Sequence, residues 1–160
     1  MKVVHSPTHL IHNPRWEFTR GHRIHSKDTP SRATIIREAL LASDLAIEIV
    51  PPVEQPLARY EALHGFVGFL RDAASTLDEN AIIYPDVFPV RRKVNRPDHQ
   101  PALAGYYCFD TGTPITRYTF EAAKSAGDCA LTAAAMLPQE GFVYALCRPP
   151  GHHAEREVFG

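Results

Sequence analysis

Hydrophobic residues recur along this chain in short runs that predict β-strands. Each run is bounded by polar or turn-forming residues, as strands of a small sheet are. The predicted strands are Lys2–His5, Leu45–Val50, a strand beginning at Ile82-Ile83, and Phe142–Cys147. Proline follows the first and the last of them, and proline ends a strand because it cannot donate to the sheet ladder.

Between these runs, apolar residues recur with helical spacing. The predicted helices are a segment that begins at Thr29-Pro30, Leu57–Leu77, and Thr119–Leu137. The hydroxyl of Thr29 is predicted to cap the first helix, and Pro138 is predicted to end the third. Strands that alternate with helices in this order indicate an α/β domain with a mainly parallel sheet.

Two segments lack a clean period and are predicted to be long loops, His9–Lys27 and Tyr84–Pro101. The first carries four histidines, no two of which have the helical i,i+4 or the strand i,i+2 spacing, so surface positions are favoured over metal binding. The second contains Arg91-Arg92-Lys93, which is most simply a solvated face; a binding role for an anionic group or a partner chain is the alternative interpretation.

Charge and cysteine content narrow the classes of function. The formal net charge is −1, which gives no basis for binding nucleic acid or an anionic membrane surface. Three cysteines with no CxxC pair predict free thiols in a reducing compartment rather than a cysteine zinc site. The N-terminal residues lack the apolar core of a signal peptide, so a cytoplasmic location is expected.

The segment Arg148-Pro149-Pro150-Gly151-His152-His153-Ala154 carries the clearest candidate chemistry. It follows the last predicted strand, and ligand sites of parallel sheets form beyond the carboxyl ends of their strands. Gly151 is expected to adopt backbone angles that a side chain would forbid. Adjacent side chains diverge, so His152 and His153 are poor joint ligands for one metal. On a turn they can serve as a proton-transferring base and a partner that stabilises charge. The alternative is a pair of turn histidines bonded to nearby carbonyls.

This segment resembles the double-histidine signature of zinc-dependent deacetylases, the histone deacetylases and acetylpolyamine amidohydrolases. Leu63-His64 followed by Phe69-Leu70 is similar to a helix segment of the same family. Two further segments resemble the bacterial acetylpolyamine amidohydrolase branch in particular, Phe88-Pro89-Val90-Arg91-Arg92 and Gly105-Tyr106-Tyr107-Cys108. The resemblance implies an arginase- or deacetylase-like three-layer α/β fold. Residues 1–160 correspond to the N-terminal half of one catalytic domain.

The resemblance also implies a reaction and its residues. The expected reaction is zinc-dependent hydrolysis of an acetyl-amide, with His153 as general base and acid and His152 as its electrostatic partner. Tyr106 and Gly151 are expected to contact the substrate, with Tyr106 lining a tunnel. The family's zinc ligands come from an Asp-x-His motif and a later Asp. Neither follows His153 here, so no metal ligand is predicted in this chain.

Further expectations concern cofactors, partners and substrate. The resemblance implies zinc (Zn) in the full-length protein and admits potassium (K) as a second ion. It implies that the loop at residues 84–101 is an insertion that builds a homodimer. Where acidic residues associated with polyamine selection are expected, this chain has Pro101 and Gly112, so an acetyl-lysine-like substrate stays open beside an acetylpolyamine. The alternative function is an incomplete fragment that acts as a binding or dimerisation module.

Overall fold

A computed structural model describes residues 1–85, 87–88 and 96–160 of the protein. Part of the loop predicted at 84–101, including Arg91-Arg92-Lys93, lies outside the described residues. The strands are β1 (Lys2–His5), β2 (Trp16–Thr19), β3 (His22–His25), β4 (Glu48–Val50) and β5 (Val143–Leu146). The helices are a 3₁₀ helix (Pro7–Ile11), α1 (Pro30–Leu41), α2 (Leu57–Glu61), α3 (Val67–Ser75), α4 (Gln100–Tyr107) and α5 (Thr119–Glu140).

The chain forms two compact units. Unit 1 comprises Met1–Asn13, Asp28–Gln55 and Glu121–Gly151, and unit 2 comprises Pro14–Lys27, Pro56–Phe120 and His152–Gly160. The boundary between Gly151 and His152 divides the candidate segment, so its arginine and its histidines are held by different parts of the structure. No helix among the described residues has both the length and the apolar content to cross a membrane.

Unit 1 contains the predicted parallel sheet, in the order β4-β1-β5. Val3 and Val4 are fully buried on opposite faces of β1, because successive residues of a strand point to opposite sides. Val3 packs with Ala33 of α1 and Leu146 of β5. Val4 packs with Cys129 and Ala133 of α5. Helices therefore cover both faces of the sheet, which confirms the α/β class and its parallel sheet.

Unit 2 contains an element that the sequence did not predict. The supposed loop His9–Lys27 includes an antiparallel hairpin of β2 and β3, closed by Arg20 and Gly21 at φ 52° and 77°. Two successive residues with positive φ are typical of the tight turns that connect such strands. Most of β3 is exposed, so it lacks the apolar alternation on which the strand prediction relied.

Three helix predictions also need correction. The single helix predicted over Leu57–Leu77 is two helices, α2 and α3, and α4 begins inside the segment Tyr84–Pro101 that was predicted to be a loop. Pro138 does not end α5, which runs on to Glu140. Proline takes one N–H out of the helix ladder, and the helix ends at Gly141, at φ 70°, whose N–H donates to the Leu137 carbonyl over 2.9 Å.

Two smaller predictions were partly right. α1 begins at Pro30 as expected, but Thr29 makes no side-chain cap and instead shares a 2.7 Å hydrogen bond with the hydroxyl of Ser31. The strand expected from Ile82-Ile83 is a single bridge between Ile83 and Ile115.

Candidate active site

Arg148, the first residue of the candidate segment, is buried at 4% exposure just beyond β5 in unit 1. One terminal nitrogen of its guanidinium donates to the backbone carbonyls of His9 and His12, over 2.7 and 2.8 Å. The 3₁₀ helix ends between these two residues, and the Arg148 guanidinium supplies hydrogen-bond donors to both backbone carbonyls there.

The opposite side of the same guanidinium binds Asp28. Nε and the other terminal nitrogen donate to the two carboxylate oxygens over 3.2 and 3.0 Å, and that nitrogen also donates to the Asp28 backbone carbonyl over 2.6 Å. With the two bonds above, every N–H of Arg148 has an acceptor. A planar fork matched to a carboxylate in this way is more directional than a lysine could be.

Two buried histidines lie beside Arg148. Burial and then the Arg148 charge lower the pKa of His12 to about 4, although Asp28 partly opposes them. Burial, the neighbouring His5 and Arg148 lower the pKa of His9 as well. The expectation that the histidines of His9–Lys27 lie on the surface was therefore wrong for these two, which are neutral groups of the core at physiological pH.

The buried His12 predicts a loss of stability in acid. An unfolded chain protonates this histidine near pH 6.5, whereas the folded protein keeps it neutral down to about pH 4. Stability from this group is complete above pH 6.5 and is lost as the pH falls towards 4, by about 3 kcal/mol in all. Urea unfolding of wild type and His12→Gln from pH 8 to 4 should show the flatter dependence in the variant. Parallel curves would contradict the assignment.

His152 and His153 lie on an exposed turn of unit 2, as the sequence predicted. Their ring centroids are 4.0 Å apart with the planes tilted by 50°, and the ring of Phe109 lies 5.9 Å from His153. None of the described residues forms a hydrogen bond with either imidazole, so the interpretation of the pair as turn histidines tied to nearby carbonyls has no support in the structure. Both rings are available to a substrate and to solvent.

Gly151 does not have the backbone role that was expected. In the described part of the chain, positive φ values among glycines occur at Gly21 and Gly141, and Gly151 is not among them. A Cβ added at Gly151 would meet nothing within 4 Å. The fold therefore does not require glycine here, and contact with substrate remains the predicted role of this position.

The residues that follow the double histidine are held by the break between α2 and α3. Nδ1 of His64 donates to the Glu155 carbonyl over 2.7 Å, and the Gly65 N–H donates to the Arg156 carbonyl over 2.7 Å. Phe159 bonds through its backbone to Tyr107 and Phe109. His64 is therefore a hydrogen-bonded structural histidine.

Tyr106 lies on α4, half-buried, in the same unit as the two histidines. Its ring meets that of Tyr107 edge-on at 4.9 Å, and Tyr107 stacks on Phe69 at 4.9 Å. These ring contacts fix the end of α4 that carries Tyr106. Its role in lining a substrate tunnel remains a prediction.

The cysteines offer no nucleophile. Cys108, Cys129 and Cys147 are free thiols, and burial raises the pKa of each, that of Cys129 to about 12. A thiol that stays protonated at neutral pH is a poor nucleophile and metal ligand. Imidazole, rather than thiol, is therefore the candidate reactive group, since it transfers protons near neutral pH.

The described residues do not fit a zinc ion. No three histidine, cysteine, aspartate or glutamate side chains among them come close enough together to hold a metal. That this chain supplies no metal ligand stays a prediction.

Comparison with known proteins decides the family. The sequence profile of the histone deacetylase domain matches residues 4–160. The chain belongs to the histone deacetylase domain family. Within this family it is 33% identical over its whole length to acetylpolyamine amidohydrolase 2 of Pseudomonas aeruginosa and 32% identical to the acetylpolyamine amidohydrolase of Mycoplana ramosa. The crystal structure of the Burkholderia pseudomallei acetylpolyamine aminohydrolase superposes on all of it with a TM-score of 0.83 at 27% identity.

The match covers the whole of this chain but only part of each relative. The chain is covered in full, yet it spans about half of each of these relatives, 48% and 49% of the two sequences and 48% of the crystallised chain. The superposition confirms the deacetylase-like α/β fold for the part of the chain that the structure describes.

Proposed function

We propose that the full-length protein hydrolyses the amide of a small acetylated amine, and that residues 1–160 are the N-terminal half of its catalytic domain. The observation that carries the proposal is the exposed pair His152 and His153, with no hydrogen-bond partner among the described residues, in a chain of the histone deacetylase family. Imidazole is the side chain best suited to proton transfer near neutral pH.

The proposed chemistry assigns each histidine a part. His153 takes a proton from the water that attacks the acetyl carbonyl, and later gives it to the amine nitrogen as the C–N bond breaks. The products are acetate and a free amine. His152, with its ring 4.0 Å away, influences the charge that develops on His153. Tyr106 and Gly151 contact the substrate. Zinc is proposed as the cofactor of the full-length protein on the family resemblance alone, and potassium remains a prediction.

We further propose an acetylpolyamine as the preferred substrate, because the relatives with 33% and 32% identity carry the name acetylpolyamine amidohydrolase. The cytoplasm is the proposed location. A homodimer built by the loop at residues 84–101 is proposed as the assembly.

Acetate release tests the function. The purified full-length protein, supplied with zinc, should release acetate from an acetylated polyamine and do so with a higher kcat/KM than from an acetyl-lysine peptide. The reverse preference would overturn the substrate assignment. No release from either would overturn the activity and favour a binding or dimerisation module.

A further inference from the structure

His64 fixes the chain immediately beyond the double histidine. Its Nδ1 lies 2.7 Å from the carbonyl oxygen of Glu155, two residues after His153. A carbonyl can only accept, so Nδ1 carries the proton and the tautomer of His64 is set by this bond. The ring therefore holds a point of the backbone rather than a side chain.

The next bond strengthens the attachment. Gly65 donates its backbone N–H to the Arg156 carbonyl over 2.7 Å, so two successive residues hold two successive carbonyls. The His64 ring lies 5.2 Å from that of Phe66, which is 7% exposed and contacts the ring of Phe159 at 4.9 Å. The attachment point is therefore built on the buried start of α3 and is rigid.

The far end of the same segment is fixed as well. Phe159 accepts from the N–H of Phe109 over 3.0 Å and donates to the Tyr107 carbonyl over 2.9 Å. Phe109 is also the residue whose ring contacts His153. His153 thus precedes a short segment held at 155–156 by His64 and Gly65 and at 159 by the end of α4.

We propose that His64 is a positioning residue for the two catalytic histidines. His64 touches no reacting atom. It holds the Glu155 carbonyl, and this hydrogen bond fixes the position of the chain directly after the turn at His152-His153. The inference rests on the proposed hydrolytic function. Loss of this bond would let the turn move, and misplacement of a catalytic group by about 1 Å costs on the order of 100-fold in rate.

A pair of amide variants separates positioning from packing. In His64→Asn the side-chain nitrogen can stand near the position of Nδ1, whereas in His64→Gln it lies farther out and misses the Glu155 carbonyl. We expect kcat to stay within about 3-fold of wild type for His64→Asn and to fall about 10- to 100-fold for His64→Gln, with KM little changed in both.

Thr76→Ala is the matched structural control. It removes a 2.9 Å side-chain hydrogen bond to a backbone carbonyl in the same unit, at the end of α3, and should leave kcat unchanged. Equal kcat values for the Asn and Gln variants, in a wild type that releases acetate, would overturn the inference. A wild type that releases no acetate would instead overturn the proposed function.

Discussion

Replacing Arg148 with methionine is expected to lower the free energy of unfolding by about 3 kcal/mol or more. Methionine keeps much of the length of the side chain but removes every donor. The carbonyls of His9 and His12 and the carboxylate of Asp28 then lose their partners in a site where Arg148 itself is 4% exposed. Truncating one side of a buried pair costs more than the pair contributes, because the other charge is left without compensation. Urea unfolding of the full-length protein, followed by circular dichroism, measures the change.

Two further variants show whether the guanidinium geometry matters. Arg148→Lys keeps the charge but cannot serve both carbonyls and the carboxylate, so an intermediate loss is expected. Arg156→Met removes an exposed arginine that lies 3.7 Å from Glu157, and a change near zero is expected there. Similar small losses for Arg148→Met and Arg156→Met would show that the buried network contributes little.

The elements that the sequence predicted well are those whose pattern reflects burial. β1 was found because Val3 and Val4 are both enclosed, each by a different helix of unit 1. α5 was found because small residues such as Ala133 pack it closely against the sheet. In such segments the residues that set the apolar period are the same buried residues that make the tertiary contacts.

Elements without that link were missed. β3 is mostly exposed, so its strand conformation follows from the turn at Arg20 and Gly21 rather than from an apolar alternation. The break between α2 and α3 depends on acceptors at Glu155 and Arg156, which are distant in sequence. A local pattern contains no information about such partners.

The candidate site shows the same division. The turn that carries the adjacent imidazoles could be predicted because Pro149 and Pro150 end the preceding strand through a local effect on the backbone. The residues that bind this segment and hold it in place could not be predicted, because they are distant in sequence. Asp28 is 120 residues from Arg148, and Glu155 is 91 residues from His64. One signal was present in the sequence. Arg148 directly follows a buried strand, and a buried charge requires a partner of opposite charge elsewhere in the chain.

His153→Ala is expected to lower kcat of the full-length protein by about 100- to 10,000-fold, the range that general acid–base catalysis supplies. The fold should not change, because His153 is exposed and makes ring contacts, with Phe109 and His152, but no hydrogen bond to any described residue. His152→Ala should cost less, since its proposed part is electrostatic. The measurements are acetate release and the unfolding midpoint of each variant.

Two controls exclude simpler causes for a loss of activity in His153→Ala: the zinc content of that variant and the kcat of a second histidine variant. The zinc content of His153→Ala should equal that of wild type, because the histidine is proposed to move a proton and not to hold the metal. His22→Ala removes an equally exposed imidazole from β3 of the same unit and should leave kcat unchanged. If His153→Ala kept wild-type acetate release, the proton would have to move through another group. If it lost zinc together with activity, the double histidine would belong to the metal site, and the division of roles argued from its adjacency would be wrong.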